Sequence, residues 1–238
     1  TMRFVPVKSA EQQAVLLYHR SRSLLVKQRT MLVNALRAHF AEFGLIARQG
    51  VRNLGILRGC LEQERLPAIA KEVLELLFVQ IEAVSEQIKA LEKQIHQWHK
   101  ESEPSRRLAT IPGVGPLTAS AIVASVGEAA FFGSARSFAA WLGLTPREHS
   151  SGGKACTLGI SKKGDEYIRR LLVHGARAVV RMRFRKGAAP MPWLDGLLER
   201  KHRNTATVAL ANKNARMVWA LLTKGTTYKE YVEGVVAP

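Results

Sequence analysis

Leu74, Leu77, Ile81, Val84, Ile88, Leu91, Ile95 and Trp98 follow one another at spacings of 3-4-3-4-3-4-3, with Glu, Gln and Lys filling most positions between them. Such a repeat draws one apolar stripe along a long helix, and a partner helix must cover it, because a 3.5-residue period keeps every side chain facing its neighbour. Two partners fit the pattern: a second copy of the chain, or the chain's own first helix folded back as an antiparallel hairpin. Two hairpins pairing as four helices would satisfy both. The first helix is signalled by Ser9 and Gln12, spaced as a capping box. After it Leu17, Leu24, Leu25, Leu32, Leu36, Phe40 and Phe43 recur at helical spacing, and Gly44 supplies a stop. This gives an amphipathic helix of about 35 residues, longer than most globular helices. Residues 45–67, with Gly50, Gly55, Gly59 and Pro67, read as a broken connector with room for one short helix.

Glu101-Ser102-Glu103-Pro104-Ser105 ends the second long helix and makes the best boundary. Beyond it the pattern predicts short helices, a Gly/Ser loop near 150–153 and an amphipathic helix from about 165. A Pro-containing connector at 187–192 and a last helix near 205–223 follow. The expected fold is mainly α. Long helices with a coiled coil occupy 1–103, and a second helical domain occupies 104–238.

Charge narrows the function. The chain carries 36 Lys and Arg against 19 Asp and Glu, a net of +17. Residues 145–203 alone hold 14 basic and 5 acidic side chains. A field of that density attracts polyanions, above all nucleic acid; a solubility surface or a membrane-surface patch is the plainer alternative. No run of 18 apolar residues occurs, which excludes a conventional transmembrane helix. Cys60 and Cys156 stand far apart without a partner motif, so a disulfide scaffold and a Cys-based zinc site are excluded and a reducing cytoplasm is expected. His96 and His99 have the i, i+3 spacing of shared ligands but no third ligand type beside them, so no metal site is expected.

Leu108-Ala109-Thr110-Ile111-Pro112-Gly113-Val114-Gly115-Pro116 reads as a short helix ending at a glycine turn, with Pro116 opening the next helix. Ala119, Ile122, Val123 and Val126 continue that helix, and Gly127 stops it. The element, about 105–127, resembles a helix-hairpin-helix. Gly113 and Gly115 lack Cβ atoms, so their N–H groups can approach a phosphate, and the helix N-terminus adds partial positive charge. A plain helical corner is the alternative. In the loop at about 146–156, Ser151 precedes Gly152, Gly153 and Lys154. Such a loop can present a hydroxyl to a phosphodiester while Lys154 steadies the charge, or it can be merely a flexible linker. Lys162 and Lys163 follow, and Arg170, Arg177 and Arg181 line one face of the next helix. With Arg183, Arg185 and Lys186 close behind, that face reads as a phosphate track rather than a merely solvated surface.

An ordered set of motifs then becomes specific: Met2–Ser9, Glu11-Gln12-Gln13, Ile111–Gly115, Phe138–Pro146, Ser151–Lys154, Ile160–Asp165, Leu171–Arg177 and Val208–Arg216. In this order they resemble the IS one-ten family of bacterial insertion-sequence transposases, relatives of Piv-type DNA invertases. The resemblance implies an N-terminal RuvC-like domain whose four acidic residues bind magnesium, then a coiled coil and a C-terminal transposase domain containing a helix-hairpin-helix. It also implies a recombinase guided by a structured bridge RNA, in which a serine becomes covalently joined to DNA. Ser151 matches that serine, with Ser150 as the neighbour left open. The sequence is expected to start just after the acidic domain, so it needs no cofactor of its own and lacks complete strand exchange by itself.

Two readings follow. In the first, the chain is the C-terminal part of a DNA transposase that binds DNA and guide RNA, assembles as a dimer or tetramer through its coiled coil, and uses Ser151 as nucleophile. In the second, it is a non-enzymatic helix-hairpin-helix DNA-binding or architectural protein.

Overall fold

The computed structural model describes residues 7–62, 66–154, 156–185 and 187–229. The motif residues Met2–Pro6 and Lys186 lie outside them. Among the described residues nine α-helices and one two-stranded sheet are formed, a mainly α fold. They divide into two compact units, Leu17–Gln94 and the remainder. The dividing points fall inside the two long helices, whereas a break at Ser102 separates the second long helix from the short helix that follows it.

In the first unit, helix α1 (Ala10–Glu42) and helix α3 (Ala68–Glu101) run through most of the residues, joined by a connector that holds short helix α2 (Leu54–Gly59). The capping box at the start of α1 forms as read: Gln12 N donates to Ser9 Oγ at 3.1 Å and Ser9 N to Gln12 Oε1 at 3.0 Å. Gly44, at φ 74°, ends the helix. The seam residues Leu74, Ile81, Val84 and Ile88 are buried within this single chain. Val33, Leu36 and Phe40 of α1 share one core with Leu74, Phe78 and Ile81 of α3, and Arg22 pairs with Glu92 at 2.6 Å. The helices therefore form an antiparallel hairpin.

The buried line of α1 differs from the expected one. It passes through His19, Val33, Leu36 and Phe40, while Leu17 and Leu24 are exposed. His19 and Arg22 sit on the buried side, so an apolar count does not see the repeat there. A second stripe on α3, formed by Ile69, Val73, Leu76 and Val79, is exposed.

In the second unit, α4 (Glu103–Leu108), α5 (Pro116–Val126), α6 (Ala135–Trp141), α7 (Glu166–Arg183) and α8 (Pro192–Arg200) gather around α9 (Arg203–Lys224). Helix α9 packs against α4, α6, α7 and α8, and its many alanines allow close approach. Its polar side chains satisfy carbonyls that the turns leave free. Asn214 Nδ2 donates to Pro112 O at 2.9 Å and Asn212 Nδ2 to Leu144 O at 3.1 Å. Trp219 Nε1 lies 3.0 Å from Ala129 O and 3.1 Å from Phe132 O. These bonds pin both the glycine turn and the base of the sheet.

Candidate active site and nucleic-acid interface

The segment expected to be a flexible loop is a β-hairpin. Strand β1 (Pro146–Glu148) pairs antiparallel with β2 (Thr157–Ile160), with an irregularity between the two registered pairs. Gly152 and Gly153 take φ of 57° and 76°, the signature of a two-residue type I′ turn, which only residues tolerant of positive φ form cheaply. Ser151 and Lys154 are bridged across that turn, and Lys154 N donates to Ser151 O at 3.1 Å. Directly opposed residues project on one face, with Cβ atoms about 5 Å apart. Lys154 and Ser151 therefore leave the turn on the same face.

The two serines differ. Ser150 Oγ accepts from Cys156 N at 3.3 Å, whereas Ser151 Oγ has no hydrogen-bond partner among the described residues. His149 N donates to Cys156 O at 2.9 Å, one step further down the same register. Thr145 is half-buried and residues 146–154 are all exposed, so the arm projects from the unit.

The base of the arm is rigid. Ser161 N donates to Thr145 O at 2.9 Å and Lys162 N to Gly143 O at 3.1 Å. Gly143 and Gly164 take positive φ, and a Cβ on Gly164 would lie 1.8 Å from Trp141 O. Arg169 Nη1 ties Leu142 O to α7 at 3.1 Å. Lys162 and Lys163 are exposed on this knot, and Asp165 caps α7 by accepting from Ile168 N at 2.9 Å. Arg170, Arg177 and Arg181 are exposed along α7, spanning about 16 Å by helical rise. The Arg170 guanidinium lies 5.4 Å from the Tyr167 ring centroid. Lys154, Lys162, Lys163, Arg177 and Arg181 form no ion pair among the described residues, which leaves their charge available to an anion.

Arg183 leaves the expected track. Its guanidinium grips Asp195 through two bonds of 2.8 and 2.9 Å and holds that carboxyl below its ordinary value. The two glycines of the turn also part company. Gly113, at φ 89°, is pressed on α7, where an added Cβ would lie 2.9 Å from Gly175 O, so close packing alone demands a glycine there. Gly115 is exposed with open space around it at the N-cap of α5. Helix α5 itself is mostly buried.

Among the described residues no group of three His, Cys, Asp or Glu gathers to hold a metal. They therefore offer magnesium no carboxylate cluster. His99 Nδ1 lies 2.7 Å from the buried Ser105 Oγ, away from any ligand set with His96. Burial, with His96 and Arg106 nearby, keeps the His99 ring below its usual pKa. No described helix is long and apolar enough to cross a membrane.

A model described as Transposase IS116/IS110/IS902 family matches residues 105–190, which include the glycine turn, the serine hairpin and the arginine face. A probable family 20 transposase of Pseudomonas aeruginosa is 48% identical over 233 residues, covering 96% of this chain and 69% of its own length. The transposase for insertion sequence element IS1328 of Yersinia enterocolitica is 36% identical, covering 97% of this chain and 69% of its own length. The chain belongs to the IS116/IS110/IS902 transposase family. The transposase for insertion sequence element IS1111A of Coxiella burnetii is 41% identical over 240 residues, of which the chain spans 64% of the relative's length. A putative transposase of Sinorhizobium fredii is 40% identical and spanned over 60% of its length. Asn212 and Asn214 fall inside the Val208–Arg216 motif without a role of their own there; the structure gives them one, holding the Leu144 and Pro112 carbonyls, and two asparagines in an alanine-rich helix are the signal for it.

Proposed function

We propose that this chain is the DNA-handling part of a transposase and that Ser151 is its nucleophile. The observation that carries this reading is the hairpin tip. A free serine hydroxyl is held on an ordered turn, opposite a lysine, on an exposed arm whose base carries further cations. In the reaction, Ser151 Oγ bonds to a backbone phosphorus while the bond from that phosphorus to the leaving sugar oxygen breaks. The serine proton passes to a base, and the leaving oxygen gains one. Lys154 balances charge on the phosphate as the bond forms. The number of phosphoester bonds is unchanged, so the reverse attack by another sugar hydroxyl rejoins strands without a nucleotide cofactor.

A serine hydroxyl needs activation. Strand alternation carries His149, two residues before Ser151, toward the same side of the arm, and this histidine supplies the nitrogen base. Lys162, Lys163, Arg170, Arg177 and Arg181 hold the strand by its phosphates, and Gly115 offers an N-terminal helix contact. DNA is the substrate, with a structured guide RNA as second partner, in a bacterial cytoplasm. The exposed Ile69, Val73, Leu76 and Val79 stripe supports assembly of hairpins into a dimer or tetramer.

In a transposition assay with the complete gene product, Ser151→Ala abolishes strand exchange while DNA binding persists, and Ser150→Ala keeps exchange. Exchange by Ser151→Ala at the normal rate would make the chain a DNA-binding or architectural protein as far as this serine is concerned. His149→Gln lowers the cleavage rate about 10²- to 10⁴-fold, the usual range for loss of a general base, with binding unchanged. An undiminished rate removes His149 from the reaction.

A further inference from the structure

Two large aromatic rings stand on the surface of the second unit, Phe184 just past the end of α7 and Trp193 in the first turn of α8. They are 64% and 45% exposed. A cation stands over each. The Arg203 guanidinium carbon lies 5.3 Å from the Phe184 ring centroid, and the Lys213 ammonium lies 4.2 Å from the Trp193 ring centroid. Both cations belong to α9, where helical rise separates their backbones by about 15 Å. Each covers part of one ring, and the measured exposure leaves much of both rings open to a further flat group.

These cations are not balanced by acids. Arg185, Lys201, Arg203 and Lys213 form no ion pair among the described residues. Burial first, and Arg216 second, lower the Lys213 pKa, and an anion beside the ammonium opposes that shift. The rings also stand on fixed ground. Asp195, gripped by Arg183, accepts from Met191 N at 3.0 Å, and Arg183 also reaches the Ala189 carbonyl. Phe184 directly follows Arg183, and Trp193 lies within one helical turn of Asp195, so one ion pair steadies the backbone under both. Rings held this way lose little freedom when a ligand stacks on them.

We propose that Phe184 and Trp193, with Arg203 and Lys213, hold an unpaired DNA strand, its bases stacked on the rings and its phosphates on the cations. A single strand offers both partners at every nucleotide, a π-face and a charge. A duplex does not, because its base faces lie against one another and its exterior presents phosphates and groove edges. The inference rests on the reading that the chain cuts and rejoins DNA. A strand that is exchanged has to leave its complement, so unpaired DNA arises during that reaction.

Fluorescence anisotropy with labelled oligonucleotides of about twelve nucleotides tests it. The probes are a thymidine strand, the same strand with abasic residues, a uridine RNA strand and a paired DNA duplex. The intact chain should bind the thymidine strand about tenfold more tightly than the abasic one, which keeps the phosphates and lacks the bases. Phe184→Ala and Trp193→Ala should each weaken thymidine-strand binding about tenfold, the scale of one lost base stack, with the salt slope and duplex binding unchanged. Phe184→Tyr should restore it, since the ring and not the phenyl group alone is required. Arg203→Ala should lower the salt slope by about 0.7 on the single strand. Should Trp193→Ala fail to fold, the more exposed Phe184 decides the matter. Equal binding of base-bearing and abasic strands, or unaltered binding by both alanine variants, overturns the inference while leaving the nucleic-acid reading intact. Tighter binding of the RNA strand overturns DNA as the occupant. A drop in mass by light scattering in the alanine variants would make the rings a subunit contact and overturns it too. Absence of binding to every probe overturns both this inference and the reading beneath it.

Discussion

At Gly175 on α7 the helix backbone lies so close to the glycine turn that an added Cβ would sit 1.7 Å from Gly113 O, whereas at Gly196 in α8 an added Cβ meets nothing within 4 Å. The same substitution should therefore act with opposite sign at the two sites. Gly175→Ala forces two backbones apart and should cost about 3 kcal/mol or more, the upper end of overpacking. Gly196→Ala should gain up to about 1 kcal/mol from helix propensity. Denaturant titration of the two variants measures both. His19 gives a second residue-scale expectation. Burial, followed by Arg22, lowers its pKa from 6.5 to about 4. The unfolded chain thus takes up a proton as pH falls through 6.5, and the folded chain does not until about pH 4. Stability from this group is full above pH 6.5 and falls as pH drops toward 4, by about 2 kcal/mol between pH 7 and 5. His19→Leu should show a pH dependence shallower by that amount.

In the proposed reading α7 and the β-hairpin divide the work. The helix offers charge spaced along a rigid rod, and the arm offers one hydroxyl. Each exposed arginine on α7 that meets a phosphate releases counterion, so Arg177→Ala and Arg181→Ala should each reduce the slope of log affinity against log salt by about 1. Unchanged slopes in both variants would place that face in solvent. Elements differed in how far the residues announced them. The capping box at Ser9 and the long helix α3 that carries the 3-4 spacing each use local chemistry, and each forms where it is read. The serine arm was not announced, because its strands carry Arg147, Glu148 and His149 in place of an alternating apolar pattern. Only the Gly-Gly pair marked the turn. Helix α9 was seen as a last helix but not as the centre of its unit, since small alanines bury completely without a strong apolar signature.

For the whole molecule, the two units show different relations between pattern and function. In Leu17–Gln94 the two long helices were readable from spacing but not which partner covers the seam, and the polar side of α1 at His19 and Arg22 was hidden from any apolar count. In the other unit, Ser151, Lys154 and the α7 arginines are candidates from their order along the chain, and the folded turn adds one difference: Ser150 Oγ accepts a hydrogen bond and Ser151 Oγ has no partner among the described residues. Arg183 reads as part of the phosphate track, and the fold gives it Asp195 as an internal partner instead. The central claim is chemical, and one measurement addresses it directly. The complete transposase is incubated with its element-end DNA, denatured and digested, and the nucleotide-bearing peptide is sequenced by mass spectrometry. The account predicts a phosphodiester adduct on Ser151, absent from Ser151→Ala and present in Ser150→Ala; DNA cut with the adduct on another residue, or with no adduct at all, would contradict it.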